Sequence, residues 1–115
     1  MASIFSSLFS SSNSVPNLDS ETFETKLKDD DKGVLLDTRT ASEYNEGHIP
    51  NSILIDFMDP KFRDEIDKLD RDKNYYLYCR SGNRSYHAAK LMLTMGFENV
   101  YNLADGIIGW HGEVE

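Results

Sequence analysis

The chain has 115 residues and a mass of 13.1 kDa, the size of one domain that can build a single core without disulfide or metal staples. A formal net charge of −8 and a pI near 4.7 argue against nucleic acid or an anionic membrane as a partner, because phosphate binding needs a clustered basic face. A single cysteine excludes an internal disulfide and fits a reducing compartment, so a cytoplasmic location is expected.

Residues 1–14 read as an N-terminal arm rich in serine, set before a domain over residues 15–115. The arm has no basic segment and no unbroken apolar stretch, so it does not read as a signal peptide, and nothing in the chain approaches the roughly 18 apolar residues of a membrane span. Ile4, Phe5, Leu8 and Phe9 stand at helical spacing, which leaves a short packed helix and a frayed tail both open.

Val15 to Leu18 is a short candidate strand. Asp19 is placed to cap a helix whose core face carries Phe23 and Leu27, ended by Asp29-Asp30-Asp31-Lys32-Gly33. Val34-Leu35-Leu36-Asp37 has the continuous apolar run of a central parallel strand. Thr40-Ala41-Ser42-Glu43 forms a capping box opening a brief helix that Gly47 stops. Ile53-Leu54-Ile55 is a third strand; Asp59-Pro60 then supplies a cap and a first-turn proline for a helix with Phe62, Ile66 and Leu69 as its apolar stripe. Tyr75 to Tyr78 is a fourth strand. After a polar turn, a helix from about Arg84 to Met95 buries Ala88, Leu91, Met92 and Met95 and closes at Gly96; its methionines read as core rather than ligands. Asn99 to Leu103 is a fifth strand, and a last short helix begins near Ile107, with Trp110 placed to seal the core. Strands alternating with helices imply an α/β fold, a parallel sheet with helices on both faces that binds ligands at the carboxyl ends of its strands.

Cys79 stands at such an end. The run Cys79-Arg80-Ser81-Gly82-Asn83-Arg84-Ser85 passes from strand to helix, so the unpartnered N–H groups of the helix start converge on the loop and favour negative charge there. Arg80 and Arg84 add a cationic field, and together these features are expected to lower the thiol pKa and populate the nucleophilic thiolate. Asp37 lies at a neighbouring strand end, placed to orient the loop by hydrogen bonds. Arg39 and Glu43, four apart, are expected to form a supporting ion pair. His48 is read as fixing a turn, since no second ligand stands at metal spacing, and His87 as a surface residue. His111 carries no signal. No metal and no cofactor are expected.

Three motifs carry a resemblance. Asp37-Thr38-Arg39, followed by Glu43-Tyr44, Gly47-His48-Ile49-Pro50 and Ser52, resembles the N-terminal signature of rhodanese-like domains; Cys79 to Ser85 resembles their active-site loop, and Asp105-Gly106 through Gly109-Trp110 their C-terminal motif. The resemblance runs from about Val15 to Glu115, with the motifs in family order. It implies a rhodanese-like fold with a five-stranded parallel sheet, and a single-domain sulfurtransferase in which Cys79 takes a sulfane sulfur from a donor such as thiosulfate and passes it to cyanide or a thiol. Cys79 would then be the nucleophile, and the N–H groups and side chains of Arg80, Ser81, Gly82, Asn83, Arg84 and Ser85 the substrate cradle. Ile107-Ile108 departs from the family pattern, in which a second glycine often follows the Asp-Gly pair, and leaves the local turn open.

Two other classes compete: a cysteine phosphatase or arsenate reductase, and a persulfide-relay or regulatory module acting on a protein. Phosphatase loops place five residues between cysteine and arginine. Here four separate Cys79 from Arg84, a ring expected to be too tight for tetrahedral phosphate. Composition does not separate turnover of small molecules from relay to a protein.

Overall fold

The computed structural model describes residues 14–115, so the choice between a packed helix and a frayed tail for the N-terminal arm lies outside the described residues. Five strands form one sheet: β1 (Asn17–Leu18), β2 (Gly33–Asp37), β3 (Ile53–Leu54), β4 (Asn74–Tyr78) and β5 (Val100–Leu103). Their spatial order is β1-β5-β4-β2-β3, and every neighbouring pair is parallel. The helices are α1 (Ser20–Lys28), α2 (Ala41–Glu46), α3 (Phe62–Asp67) and α4 (Asn83–Thr94), with a single 3-10 turn at Ile107–Gly109.

The central strands are apolar on both faces because each face meets helices. On β4, Tyr75 and Leu77 join Leu36, Phe62, Ile66, Ala88, Ala89 and Met92 in a core beneath α3 and α4. Tyr76 and Tyr78 point the other way, into a second core with Phe23, Leu35, Ile49 and Leu103. Trp110 packs on that second core, its ring edge-on to Phe23 at 6.0 Å. No helix among the described residues is long and apolar enough to cross a membrane.

Local chemistry sets most helix ends. Asp19 accepts from the Thr22 N–H at 2.8 Å, and the capping box of α2 closes reciprocally between Thr40 and Glu43. Gly96, at φ +96°, follows the end of α4 where the chain must turn left-handed. At α3 the expectation is corrected. The helix starts at Phe62, and Lys61 rather than Asp59 stands at its cap without a side-chain bond. Asp59 instead turns its carboxylate onto the Lys61 N–H at 2.8 Å, and its carbonyl accepts from Phe62 at 2.9 Å. Asp59-Pro60 thus closes a separate turn ahead of the helix, since aspartate can satisfy a nearby N–H in a local turn of its own.

Candidate active site

β4 lies between β2 and β5, and where it ends Cys79 leaves the sheet at the carboxyl edge, 1% exposed. Two neighbours hold the chain that follows. On one side Thr38, just past β2, donates its N–H to the Tyr78 carbonyl at 3.0 Å. On the other, the segment after β5 folds over the loop: the Ile107 N–H donates to the Cys79 carbonyl at 2.9 Å and the Ile108 N–H to the Arg80 carbonyl at 3.2 Å. Gly106 makes this approach possible, because at φ +66° a Cβ there would run into the Arg80 backbone. The turn left open by Ile107-Ile108 is this clamp, made by backbone N–H groups that do not depend on a second glycine.

Gly82 caps α4 in the left-handed region at φ +96°, pressed so closely on β5 that a Cβ would strike the Ala104 carbonyl. The resulting curl returns donors to the sulfur. The Gly82 N–H lies 3.1 Å from Cys79 Sγ, and the Ser85 hydroxyl lies 3.3 Å from it. Burial pushes the thiol pKa up, but hydrogen bonds from the Ser85 hydroxyl and from the N–H groups of Ser85, Gly82 and Ser81 outweigh it, and the net displacement is downward. Lowering was expected, with a share assigned to Arg80 and Arg84. The structure gives the larger share to hydrogen bonds; Arg84 interacts electrostatically with the thiol, but the leading contributions to the lowering come from Ser85, Gly82 and Ser81.

Arg84 makes its hydrogen bonds to α2 and none to the sulfur. Its guanidinium grips Glu43 of α2 at 2.8 and 3.0 Å, and both partners are about three-quarters buried. The hydrogen bonds from Arg84 lead the effects that bring the Glu43 carboxyl down to about 2. The expected Arg39–Glu43 pair is therefore corrected: Arg39 reaches back two residues and pairs with Asp37, its Nη at 2.7 Å from Oδ2. Asp37 is 0% exposed and also accepts from the Tyr78 hydroxyl at 2.7 Å. A buried carboxylate needs every such partner, and a guanidinium two residues away on an extended strand end reaches it more directly than one across a helix turn reaches Glu43. Asp37 and Arg39 thus form a buried support at the end of β2, joined to β4 through Tyr78 rather than to the thiol.

The expected site residues therefore sort by position. Cys79, Gly82 and Ser85 surround the sulfur, and Ser81 contributes its N–H. Arg80, Ser81 and Asn83 expose their side chains at the rim, whereas Arg84 is committed to Glu43. His48 does fix a turn, with Nδ1 at 2.9 Å from the Tyr44 carbonyl, Nε2 at 3.1 Å from the Glu115 carboxylate and its ring stacked on Tyr44 at 3.7 Å. His87 is exposed. Among the described residues, no group of three or more His, Cys, Asp or Glu side chains could hold a metal ion. A cavity of about 520 Å³ opens elsewhere, between α1, Ile49 to Ile53 and Trp110, and takes no part of the cysteine loop.

Sequence reasoning missed Asn102. It lies buried on β5 and donates to the Gly82 carbonyl at 3.0 Å. The available signal was an amide in an otherwise apolar alternation, a position where a packed strand has no use for one.

The arrangement presents a buried sulfur, held toward its anionic form and ringed by donors, at the carboxyl edge of a parallel sheet. A family model described as a rhodanese-like domain matches residues 20–113. A protein described as a sulfurtransferase from Allochromatium vinosum is 35% identical over 100 residues, covering 85% of this chain and 92% of that protein. A putative sulfurtransferase of Bacillus subtilis, YtwF, is 32% identical, covering 88% and 95%. A putative sulfur carrier protein of the same organism, YrkF, is 33% identical, and the match covers 89% of this chain but only 54% of that protein. Among solved structures, a rhodanese-related protein of Thermoplasma volcanium superposes with a TM-score of 0.76 at 27% identity, covering 87% of this chain and 97% of the other. A thiosulfate sulfurtransferase of Pseudomonas aeruginosa gives a TM-score of 0.72 at 27% identity over 88% of this chain and 20% of its own length.

Proposed function

Since the chain belongs to the rhodanese-like sulfurtransferase family, we propose that it moves a sulfane sulfur from thiosulfate to a thiophilic acceptor, cyanide or a thiol, through a persulfide on Cys79. The observation that carries this reading is the sulfur of Cys79 inside a ring of donors, 3.1 Å from the Gly82 N–H and 3.3 Å from the Ser85 hydroxyl.

The chemistry follows from that geometry. The Cys79 thiolate attacks the outer sulfur of thiosulfate; a new S–S bond forms, the donor's own S–S bond breaks, and its electron pair leaves with sulfite. The product is an anionic persulfide whose terminal sulfur carries the charge. N–H groups at the start of α4 stabilise that charge as an oxyanion hole stabilises oxygen, without reorganising during the step. Cyanide or a thiolate then attacks the terminal sulfur, and the thiolate of Cys79 departs with the bonding pair. Arg80, exposed at the rim, is the cation placed for the donor's sulfonate, because Arg84 is held by Glu43. Four residues between Cys79 and Arg84 make a cradle suited to a sulfur anion and too small for a tetrahedral phosphate.

Likeness to a putative sulfur carrier protein favours a second acceptor class, a thiol on another protein, reached through the same persulfide. Initial rates on the purified protein decide among these readings. Thiosulfate with cyanide should yield thiocyanate with ping-pong kinetics, and the Cys79→Ser variant should yield none. Faster hydrolysis of a phosphate ester than transfer of sulfur would overturn the proposal.

A further inference from the structure

β5 alternates between the two cores. Val100 packs in the core beneath α4, while Tyr101 and Leu103 belong to the opposite core. By the two-residue period of a strand, position 102 shares the face of Val100. It lies opposite Leu77 on β4 and Asn17 on β1, at 1% exposure. An apolar side chain would pack there; the residue is asparagine.

Both amide hydrogens of Asn102 are used. Its Nδ2 donates to the Gly82 carbonyl at 3.0 Å and to Asn17 Oδ1 at 2.8 Å. Its own Oδ1 is buried and has no hydrogen-bond partner among the described residues. A buried acceptor left unpaired is a cost to the fold, so packing does not explain the residue. What the amide holds is the glycine on which the loop turns. Gly82 receives Asn102 and the Tyr86 N–H, at 3.2 Å, on its carbonyl, and its own N–H points at Cys79 Sγ from 3.1 Å. A glycine at φ +96° has wide conformational freedom, so contacts must keep it there.

We propose that Asn102 is a positioning residue for sulfur transfer: by anchoring the Gly82 carbonyl from β5, it keeps the Gly82 N–H and the first turn of α4 aimed at the sulfur of Cys79. The thiolate, and later the persulfide, then meets donors already in place. The consequence for turnover rests on the sulfurtransferase reading, whereas the effect on the thiol does not.

The experiment compares wild type with Asn102→Leu and Asn102→Ala in the full chain. Leucine keeps the heavy-atom count and branching of asparagine, with somewhat more bulk, and removes the donor, so it fills the site if alanine leaves a cavity that the fold does not survive. Alkylation of Cys79 by iodoacetamide is followed against pH, with thermal unfolding measured in parallel. The charged groups of the neighbourhood, Arg80 next to Cys79 in the chain, Arg84 on α4, which interacts with the thiol, and Glu43 and Asp56, which act on Arg84, are the same in every protein. Removing the anchor should move the alkylation profile to higher pH and slow the neutral-pH rate about three- to tenfold, as expected for weakening one hydrogen bond to a charged group. Rates should converge with wild type above both midpoints, and kcat/KM for thiosulfate should fall by the same factor. A lowered unfolding temperature with an unmoved alkylation profile would show that Asn102 only fills the strand, and the proposal would fall. A moved profile in a protein that accepts sulfur from no donor would uphold the positioning role and overturn the sulfur-transfer reading instead.

Discussion

Replacing Ser85 by alanine removes one of the two closest donors to the nucleophile, and the size of the effect can be worked out from the geometry. The hydroxyl lies 3.3 Å from Sγ and is itself 0% exposed, so water does not replace it. A hydrogen bond to a charged group contributes roughly 1.5–3 kcal/mol. The long contact to a diffuse sulfur anion places this one at the low end, about 1.5 kcal/mol, close to a factor of ten in an equilibrium constant. Below the midpoints of both proteins, the thiolate fraction, and with it the iodoacetamide alkylation rate, should therefore fall about tenfold. Above both midpoints the rates should converge, since the thiolate is then fully formed in each. Alanine is smaller than serine and leaves no new polar group unpaired, so unfolding should change little. The Arg80→Ala, Arg84→Ala double variant should move the profile less than Ser85→Ala does. Coincident profiles for Ser85→Ala and wild type would refute the view that hydrogen bonds, more than neighbouring charges, hold the thiol toward its anion.

Other perturbations test the supports. Glu43→Gln removes a carboxyl brought to about 2 in the fold from an ordinary 4.5; a depressed pKa stabilises above the unfolded value and loses that contribution as pH falls. Urea midpoints should accordingly show the wild type ahead of Glu43→Gln by roughly 1 to 2 kcal/mol near neutral pH, after discounting for partial exposure, with the gap closing between about pH 4.5 and 2. Arg39→Ala leaves Asp37 buried without its cation, at a cost of about 3–5 kcal/mol in chemical denaturation; a loss below about 1 kcal/mol would show that the Tyr78 hydroxyl and the backbone N–H of residue 39 suffice. Gly82→Ala forces a Cβ onto the Ala104 carbonyl and should abolish thiocyanate formation, while full activity in that variant would contradict the placement of the loop.

The pattern of the chain displays most of the architecture. Alternating apolar strands and capped helices yield the parallel sheet, because each signal is local: the Thr40–Glu43 box spans one helical turn, and the run from Val34 to Asp37 contains its own evidence of double-sided burial. The cysteine loop is legible for the same reason, since strand, turn and helix start are contiguous. Partnerships between distant segments are not. Glu43 and Arg84 lie 41 positions apart, so Glu43 is assigned from the sequence to Arg39, its neighbour at helical spacing. Arg39 prefers a buried carboxylate on its own strand end, a preference that burial creates and the sequence does not display. The role of Asn102 becomes visible only when β5 is placed beside the loop that follows β4.

Mass measurement of the reduced protein after incubation with thiosulfate, in the absence of acceptor, tests the persulfide most directly. A gain of one sulfur atom is expected. With a single cysteine in the chain that atom belongs on Cys79; cyanide should remove it, and the Cys79→Ser variant should gain nothing. An unchanged wild-type mass under saturating thiosulfate, with the thiol shown free beforehand, would contradict thiosulfate as the donor.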